Sequence, residues 1–122
     1  MGATNGDDVK PRVNASMLPN HQGRTVCIIG VAHEISGSSF KLKTSDDQVI
    51  MIDVGQPIQD YIDGLVEVQG MVTETNSINC ENYVIFSPEA TSSFNMNLYN
   101  KAVELTQTLA DHYVTGVPQQ QS

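Results

Sequence analysis

The stretch that decides the fold is residues 24–35, which read RTVCIIGVAHEI. Apolar and β-branched side chains dominate it, and this composition is typical of a strand. Gly30 lies at its centre, where it predicts a bulge or a sharp bend. A long strand with such a bend can serve both ends of a small barrel.

Four more strands are predicted after this one. Residues 40–43 alternate apolar and basic side chains, which is typical of a half-buried strand. The other three strands are predicted at residues 49–54, 64–73 and 78–86. Turn residues separate the first three strands, at 36–39 and 45–47.

Two segments interrupt the strand pattern. Residues 55–63 lie between the third and fourth strands, and Pro57 and Ile58 predict a single helical turn that covers one end of the barrel. Residues 87–93 are predicted to be a polar linker, with Pro88 ending the last strand. The fold class is therefore all-β with a C-terminal helix, in the form of a five-stranded OB-fold Greek-key barrel. An immunoglobulin-like sandwich is less consistent with the pattern, because it needs about seven strands.

The helix is predicted at residues 96–113, with Asn95 as its N-cap and Phe94 packing on Tyr99. At about 100° per residue its apolar side chains cover an arc of about 200°, whereas packing on one surface needs only about 100°. The helix must therefore meet two surfaces, its own domain and, we expect, another chain. The predicted interface with partner helices consists of Leu98, Tyr99, Ala102, Leu105, Thr106, Leu109 and Tyr113.

Composition restricts the classes of function. The chain has 122 residues and a net charge of −8, which opposes strong unaided binding to phosphate backbones. It has neither an apolar run of membrane-spanning length nor a basic-then-apolar leader, so we expect no membrane association and no secretion. Asn14 begins a glycosylation sequon that should stay bare for that reason. Cys27 and Cys80 are expected to be reduced, buried thiols in strands.

Signals of catalysis are weak. His21, His33 and His112 are scattered, and none has the spacing that places two zinc ligands on one helix face. Adjacent aspartates occur only in the N-terminal segment and in a predicted turn. No nucleophile elbow or phosphate-binding glycine loop is present. We therefore expect neither an enzyme nor a metal or cofactor site.

Single-stranded nucleic acid needs aromatic platforms beside basic groove walls. The chain offers Arg24, Phe40, Lys41 and Lys43, which are expected to lie near one another. The simpler interpretation places Phe40 in the core with Leu42 and leaves the lysines as solubilising groups. Weak auxiliary contact with single-stranded DNA stays open for these four residues.

Three segments carry a resemblance to a known family. They are RVNASML at residues 12–18, GLVEVQGMVT at residues 64–73 and LYNKAVE at residues 98–104. Together with VCIIG at 26–30, they resemble the smallest subunit of replication protein A, the eukaryotic heterotrimer that binds single-stranded DNA. The first and last segments are the more specific, since valine-rich strands are common in OB folds. The resemblance runs from about residue 11 to 117.

The resemblance implies a structural subunit whose C-terminal helix joins one helix each from the middle and large subunits in a three-helix core. It places the principal DNA-binding barrels on those subunits, and it implies roles in replication, repair and recombination in the nucleus. The alternative is a small OB subunit of another single-strand-binding complex, such as the telomere-capping trimer. The expected organisation is a disordered tail at 1–10, a barrel at 11–93, an assembly helix at 94–115 and a flexible tail at 116–122.

Overall fold

A computed structural model describes residues 10–113, with side chains to residue 106. A 3₁₀ helix, Ala15–His21, precedes the strands. The strands are β1 (Thr25–Ser36), β2 (Ser39–Thr44), β3 (Val49–Asp53), β4 (Leu65–Val72) and β5 (Ile78–Ile85), and the helices are α1 (Pro88–Ser93) and α2 (Met96–Tyr113). The five predicted strands and the bounds of the long helix are confirmed. The predicted tails lie outside the described residues, apart from Lys10.

The strands close into a barrel in the order β1-β2-β3-β5-β4. All neighbours pair antiparallel except β3 and β5, which make a short parallel contact at Ile52↔Ile78 and Asp53↔Asn79. This is the predicted OB-like barrel. Its interior is filled by the inward side chains of every strand, with Phe40, Ile28, Leu42, Ile52, Val68 and Ile78 among the fully buried ones.

Gly30 is where β1 changes neighbours. β1 pairs with β4 from Thr25 to Val31 and with β2 from Gly30 onward, and Gly30 itself pairs on both sides. A Cβ there would lie 2.5 Å from the Lys43 carbonyl oxygen, so a side chain does not fit without displacing β2. The pairing stays in register at Gly30 and shifts instead between His33 and Ser36, so the glycine allows close approach of two strands without a bulge.

Two local predictions are wrong. Residues 55–63 contain no helical turn around Pro57, because this segment connects β3 to β4 as irregular chain. Residues 87–93 are not a linker throughout, because α1 forms there. The Ser87 hydroxyl accepts a hydrogen bond from the Ala90 amide at 3.1 Å and Pro88 opens the helix, so the residue assigned to end a strand instead begins a helix.

The start of α2 is as predicted. The Asn95 side-chain oxygen accepts from the Leu98 amide at 2.9 Å, which satisfies one donor of the first turn. The rings of Phe94 and Tyr99 lie 5.5 Å apart, so the aromatic contact across the helix start is also confirmed.

Both cysteines lie in strands and are free, but only Cys27 is buried. Cys80, in β5, is half-buried and packs against the core, so the expectation of two buried thiols is right for one of them. The fold also buries the asparagine of the glycosylation sequon. Asn14 has no exposed surface, so its side chain is inaccessible whatever the compartment.

Candidate assembly surface

The helix α2 has two apolar sides. Val103 is only 3 % exposed and packs towards the barrel, whereas Leu98 and Leu105 are 64 % and 59 % exposed. On a helix these two leucines lie about 20° apart, and Ala102 and Thr106, also exposed, continue the same side. We call Leu98, Ala102, Leu105 and Thr106 the exposed face. The wide apolar arc is thus divided between the chain's own barrel and an uncovered surface.

Polar contacts hold the inner side of α2 against the barrel. The Asn100 side-chain oxygen accepts hydrogen bonds from Asn14 at 2.9 Å and from the Ser45 hydroxyl at 2.7 Å. The Ser16 hydroxyl donates to Asn14 at 2.8 Å, and the Asn100 amide donates to Glu104 at 3.2 Å. This network joins the helix to two separate parts of the barrel domain, so it fixes how the helix rotates about its axis.

Tyr99 lies between the two sides and is half-buried. Its hydroxyl is buried and makes no hydrogen bond among the described residues. The pKa of Tyr99 is raised to about 12, mainly by burial and then by the nearby Cys27 and Glu67, while the charge of Arg12 acts to lower it. The phenol therefore stays neutral at physiological pH.

A polar cluster lies beneath this tyrosine. The Cys27 thiol donates to Glu67 at 2.7 Å, and a guanidinium nitrogen of Arg12 lies 4.0 Å from the same carboxylate. Burial, and then the bond to Glu67, raise the pKa of the Cys27 thiol to about 12. A thiol that stays protonated is a poor nucleophile, so Cys27 is a packing residue.

A groove runs beside α2 along the edge of the exposed face. Its first part is a cavity of about 510 Å³ between Phe86, Phe94 and the helix residues Leu98, Tyr99 and Ala102. Its second part, about 420 Å³, lies between Lys10, Pro11 and Arg12 on one wall and Tyr99, Ala102, Val103 and Thr106 on the other. The two parts share Tyr99 and Ala102 in their walls, so they are neighbours along the helix.

The structure brings together four of the seven predicted interface residues on the exposed face, and it places Tyr99 at the boundary with the barrel. The side chains of Leu109 and Tyr113 lie outside the described residues. Sequence reasoning did not identify Asn100 as a contact between the helix and the barrel. Asn14 lies in the segment 12–18 and Asn100 in the segment 98–104, the two that carry the more specific resemblance, and this was the available signal. Nothing in either segment indicates that the two side chains touch.

The predicted DNA-contact residues do not form a single cluster. Arg24 lies before β1, whereas Lys43 and Lys41 pair with Val31 and His33 in the second half of that strand. The expectation holds for Lys41 and Lys43, which lie together on β2, but not for Arg24, because most of the length of β1 separates it from them.

Phe40 and the two lysines are already engaged within the chain. Phe40 has no exposed surface, so it cannot serve as a stacking platform. The Lys41 amine lies 3.0 Å from Glu34, and the Lys43 amine lies 3.9 Å from Asp47. The simpler interpretation of Phe40 as a core residue is confirmed.

The aromatic side chains elsewhere are poor platforms as well. The Tyr83 hydroxyl donates to Asp60 at 2.6 Å, and this bond raises the pKa of Tyr83 to about 12. Tyr61 is exposed between Asp60 and Asp63, whose negative charge repels phosphates.

Residues 10–113 show neither a metal site nor a membrane-spanning helix. No group of three or more metal-ligating side chains occurs among the described residues. None of the helices in this part of the chain is long and apolar enough to span a membrane.

A closed five-stranded barrel of this strand order, followed by a helix with an uncovered apolar side, is an OB-fold protein. The family model for replication factor A protein 3 matches residues 5–113, and the chain belongs to this family, that of the smallest subunit of replication protein A. It is a family of OB-fold structural subunits and not a known family of enzymes.

Solved structures agree with this assignment. A chain in the structure of U. maydis replication protein A bound to ssDNA is similar at 25 % identity with a TM-score of 0.69, over 85 % of this chain and 94 % of that one. The telomere capping protein Ten1 from Saccharomyces pombe gives 10 % identity and a TM-score of 0.65, over 82 % and 99 % of the two chains. A chain of the S. pombe Stn1-Ten1 complex gives 11 % and 0.65, over 83 % and 94 %. The last two likenesses are of fold alone.

Proposed function

We propose that this chain is a scaffold subunit of a replication protein A heterotrimer, and that α2 packs with one helix each from the middle and large subunits. The observation that carries the proposal is the pair of exposed leucines, Leu98 and Leu105, on a helix whose opposite side is already buried on the barrel at Val103. Monomeric proteins rarely leave large apolar patches uncovered, so such a face marks an interaction site.

The energetic argument is consistent with stable assembly. Fully burying a leucine side chain contributes about 1.5–3 kcal/mol. The groove beside α2 extends the contact beyond the two leucines, since its walls include Phe86 and Phe94 as well as Ala102. Leu109 and Tyr113, which follow along the same helix, belong to the proposed interface too.

The part played in DNA binding is auxiliary. A chain of net charge −8, whose lysines on β2 pair with acidic side chains, is poorly suited to hold a phosphate backbone alone. The similar U. maydis protein is bound to ssDNA as replication protein A, which supports a role within a DNA-binding complex. The main DNA contacts then fall to the middle and large subunits, and the pathways are replication, repair and recombination in the nucleus.

The proposed organisation follows from this role. Residues 11–93 form the barrel domain and residues 94–115 the assembly helix, with tails at 1–10 and 116–122. The barrel supplies the fixed platform, and the helix supplies the contact with other chains.

The test is co-expression with the middle and large subunits, followed by affinity purification and sizing chromatography. Leu105→Asp places a charge in the proposed interface, where an unpaired buried charge is strongly unfavourable. We expect it to abolish recovery of the trimer while the barrel still unfolds cooperatively. Asn97→Asp is the matched control, since Asn97 is exposed on another side of the same helix. Normal recovery of Leu105→Asp with both partners would contradict the proposal, and stable recovery with a different pair of partners would indicate another OB complex.

A further inference from the structure

Positive charge is concentrated around the exposed face of α2. The chain has only 6 Lys and Arg residues against 14 Asp and Glu. Three of the six, Lys10, Arg12 and Lys101, border this one face. Half of the basic side chains of this acidic chain thus lie around one face.

Lys101 borders the face on one side. At about 100° per residue, it lies about 40° from Leu105 and about 60° from Leu98, on the side away from Ala102. Lys101 is exposed and makes no ion pair among the described residues. Its amine is therefore available to a group that packs against the two leucines.

Lys10 and Arg12 border the face on the other side. They form the wall of the groove opposite Ala102 and Thr106. The Arg12 side chain is 58 % exposed, and the one ion pair that it makes among the described residues, to Glu67, is long at 4.0 Å. The backbone on either side of Arg12 is fixed by hydrogen bonds to Cys27, from the Cys27 amide to Pro11 and from the Val13 amide to the Cys27 carbonyl. The position of the arginine relative to the helix is thus set by β1.

We propose that the partner seated on this face is an amphipathic helix whose apolar stripe is bordered on both sides by Asp or Glu. The acidic residues on one border lie against Lys101, and those on the other enter the groove against Arg12 and Lys10. This inference rests on the proposed function, and it adds the chemistry of the partner. Complementary charges at the edge of an apolar helix contact fix register and partner choice, as the flanking positions of coiled coils do.

The chain itself explains why the partner's charge must be confined to these borders. Glu104 lies on the Asn100 side of α2, where it accepts a hydrogen bond from that residue. Glu67 lies behind Arg12 and half-buried. An acidic residue displaced from the proposed borders would meet one of these carboxylates, so the arrangement selects against other registers as well as favouring one.

The experiment compares charge reversals in the complex with the middle and large subunits. The test variants are Lys101→Glu alone and Lys10→Glu with Arg12→Glu. The matched control is Lys41→Glu with Lys43→Glu, which changes the charge on β2 by as much as the double variant does and by twice as much as Lys101→Glu. We expect each test variant to weaken association by about tenfold or more at 0.15 M salt, with a smaller loss at 1 M because salt screens exposed charges. The control should stay within about twofold of the unmodified chain.

Two further comparisons distinguish the possible reasons for a loss of association. Arg12→Lys keeps the charge and should retain association, which distinguishes the charge from the shape of the guanidinium. Because Lys101 lies outside the barrel, the result for Lys101→Glu is informative even if the double variant with Arg12→Glu unfolds. Equal effects of the test and control variants, or no effect of either, would overturn the inference. If Leu105→Asp abolishes assembly in that case, the proposed function survives and only the acidic partner is wrong.

Discussion

Asp46 shows how one carboxylate organises a junction between two segments. It accepts hydrogen bonds from the Ala15 amide at 3.1 Å, the Ser16 amide at 2.9 Å and the Thr44 hydroxyl at 2.6 Å. Burial by itself would raise the pKa of Asp46, but these bonds stabilise the charged form and hold the pKa below its usual value. The carboxylate thus fixes the start of the 3₁₀ helix to the turn after β2.

We expect Asp46→Ala to lower the free energy of unfolding by about 1–3 kcal/mol at pH 7, because two amides and a hydroxyl lose a charged acceptor. Since the folded-state pKa is lowered, this stability is present above the unfolded pKa of about 3.9 and is lost as the pH falls through the folded value. Urea unfolding at pH 7 and below pH 4 measures the difference. Asp63→Ala, at an exposed site, is the control. A deficit that does not shrink in acid would show that the charge of Asp46 is not responsible.

At the scale of elements, the docking of α2 depends on the direction of individual hydrogen bonds. Asn100 must accept from Asn14 and Ser45, and Asn14 must donate. Asn100→Asp keeps both acceptances, whereas Asn100→Leu leaves two buried donors without a partner. Asn14→Asp removes the donating nitrogen and buries a charge in a site with no exposed surface.

Hydrogen exchange of the α2 amides should therefore rank the variants. We expect Asn100→Leu and Asn14→Asp to increase exchange by about tenfold or more, since an unpaired buried polar group costs about 1–3 kcal/mol. Asn100→Asp should increase exchange by less, because it keeps both acceptances. Its remaining effect comes from repulsion between the new carboxylate and Glu104 four residues on. Asn97→Leu is the control, because Asn97 is exposed on another side of the same helix. Equal exchange in Asn100→Asp and Asn100→Leu would mean that apolar contacts alone position α2.

At the scale of the whole molecule, charge and burial together predict weak binding of single-stranded DNA by the isolated chain. Few phosphates are neutralised, so the affinity should be in the range of about 10⁻⁴–10⁻⁶ M typical of non-specific contacts, with a shallow dependence on salt. Fluorescence anisotropy with an oligothymidine probe measures it. Replacing Lys41 and Lys43 by alanine should change little. Submicromolar binding at physiological salt that this double variant abolishes would reverse our view of the chain as a scaffold first.

Much of the fold follows from local patterns. Alternation and β-branched runs identify the five strands, and the 3.6-residue period with Asn95 as cap identifies Met96–Tyr113 as a helix, because these signals depend on near neighbours in sequence. The helix α1 escaped this reasoning. Its six residues are too few to show a period, and Pro88 has the same appearance whether it ends a strand or begins a helix.

The sequence by itself determined that α2 is too apolar for one surface, because the width of the arc depends only on helix geometry. Only the tertiary structure decided which part faces the barrel. That choice depends on Asn14 and Asn100, 86 residues apart, meeting at 2.9 Å, and on β1 bringing Arg12 to the groove while carrying Arg24 away from the β2 lysines. Contacts between distant segments arise from barrel closure, and no local pattern records which residues closure brings together.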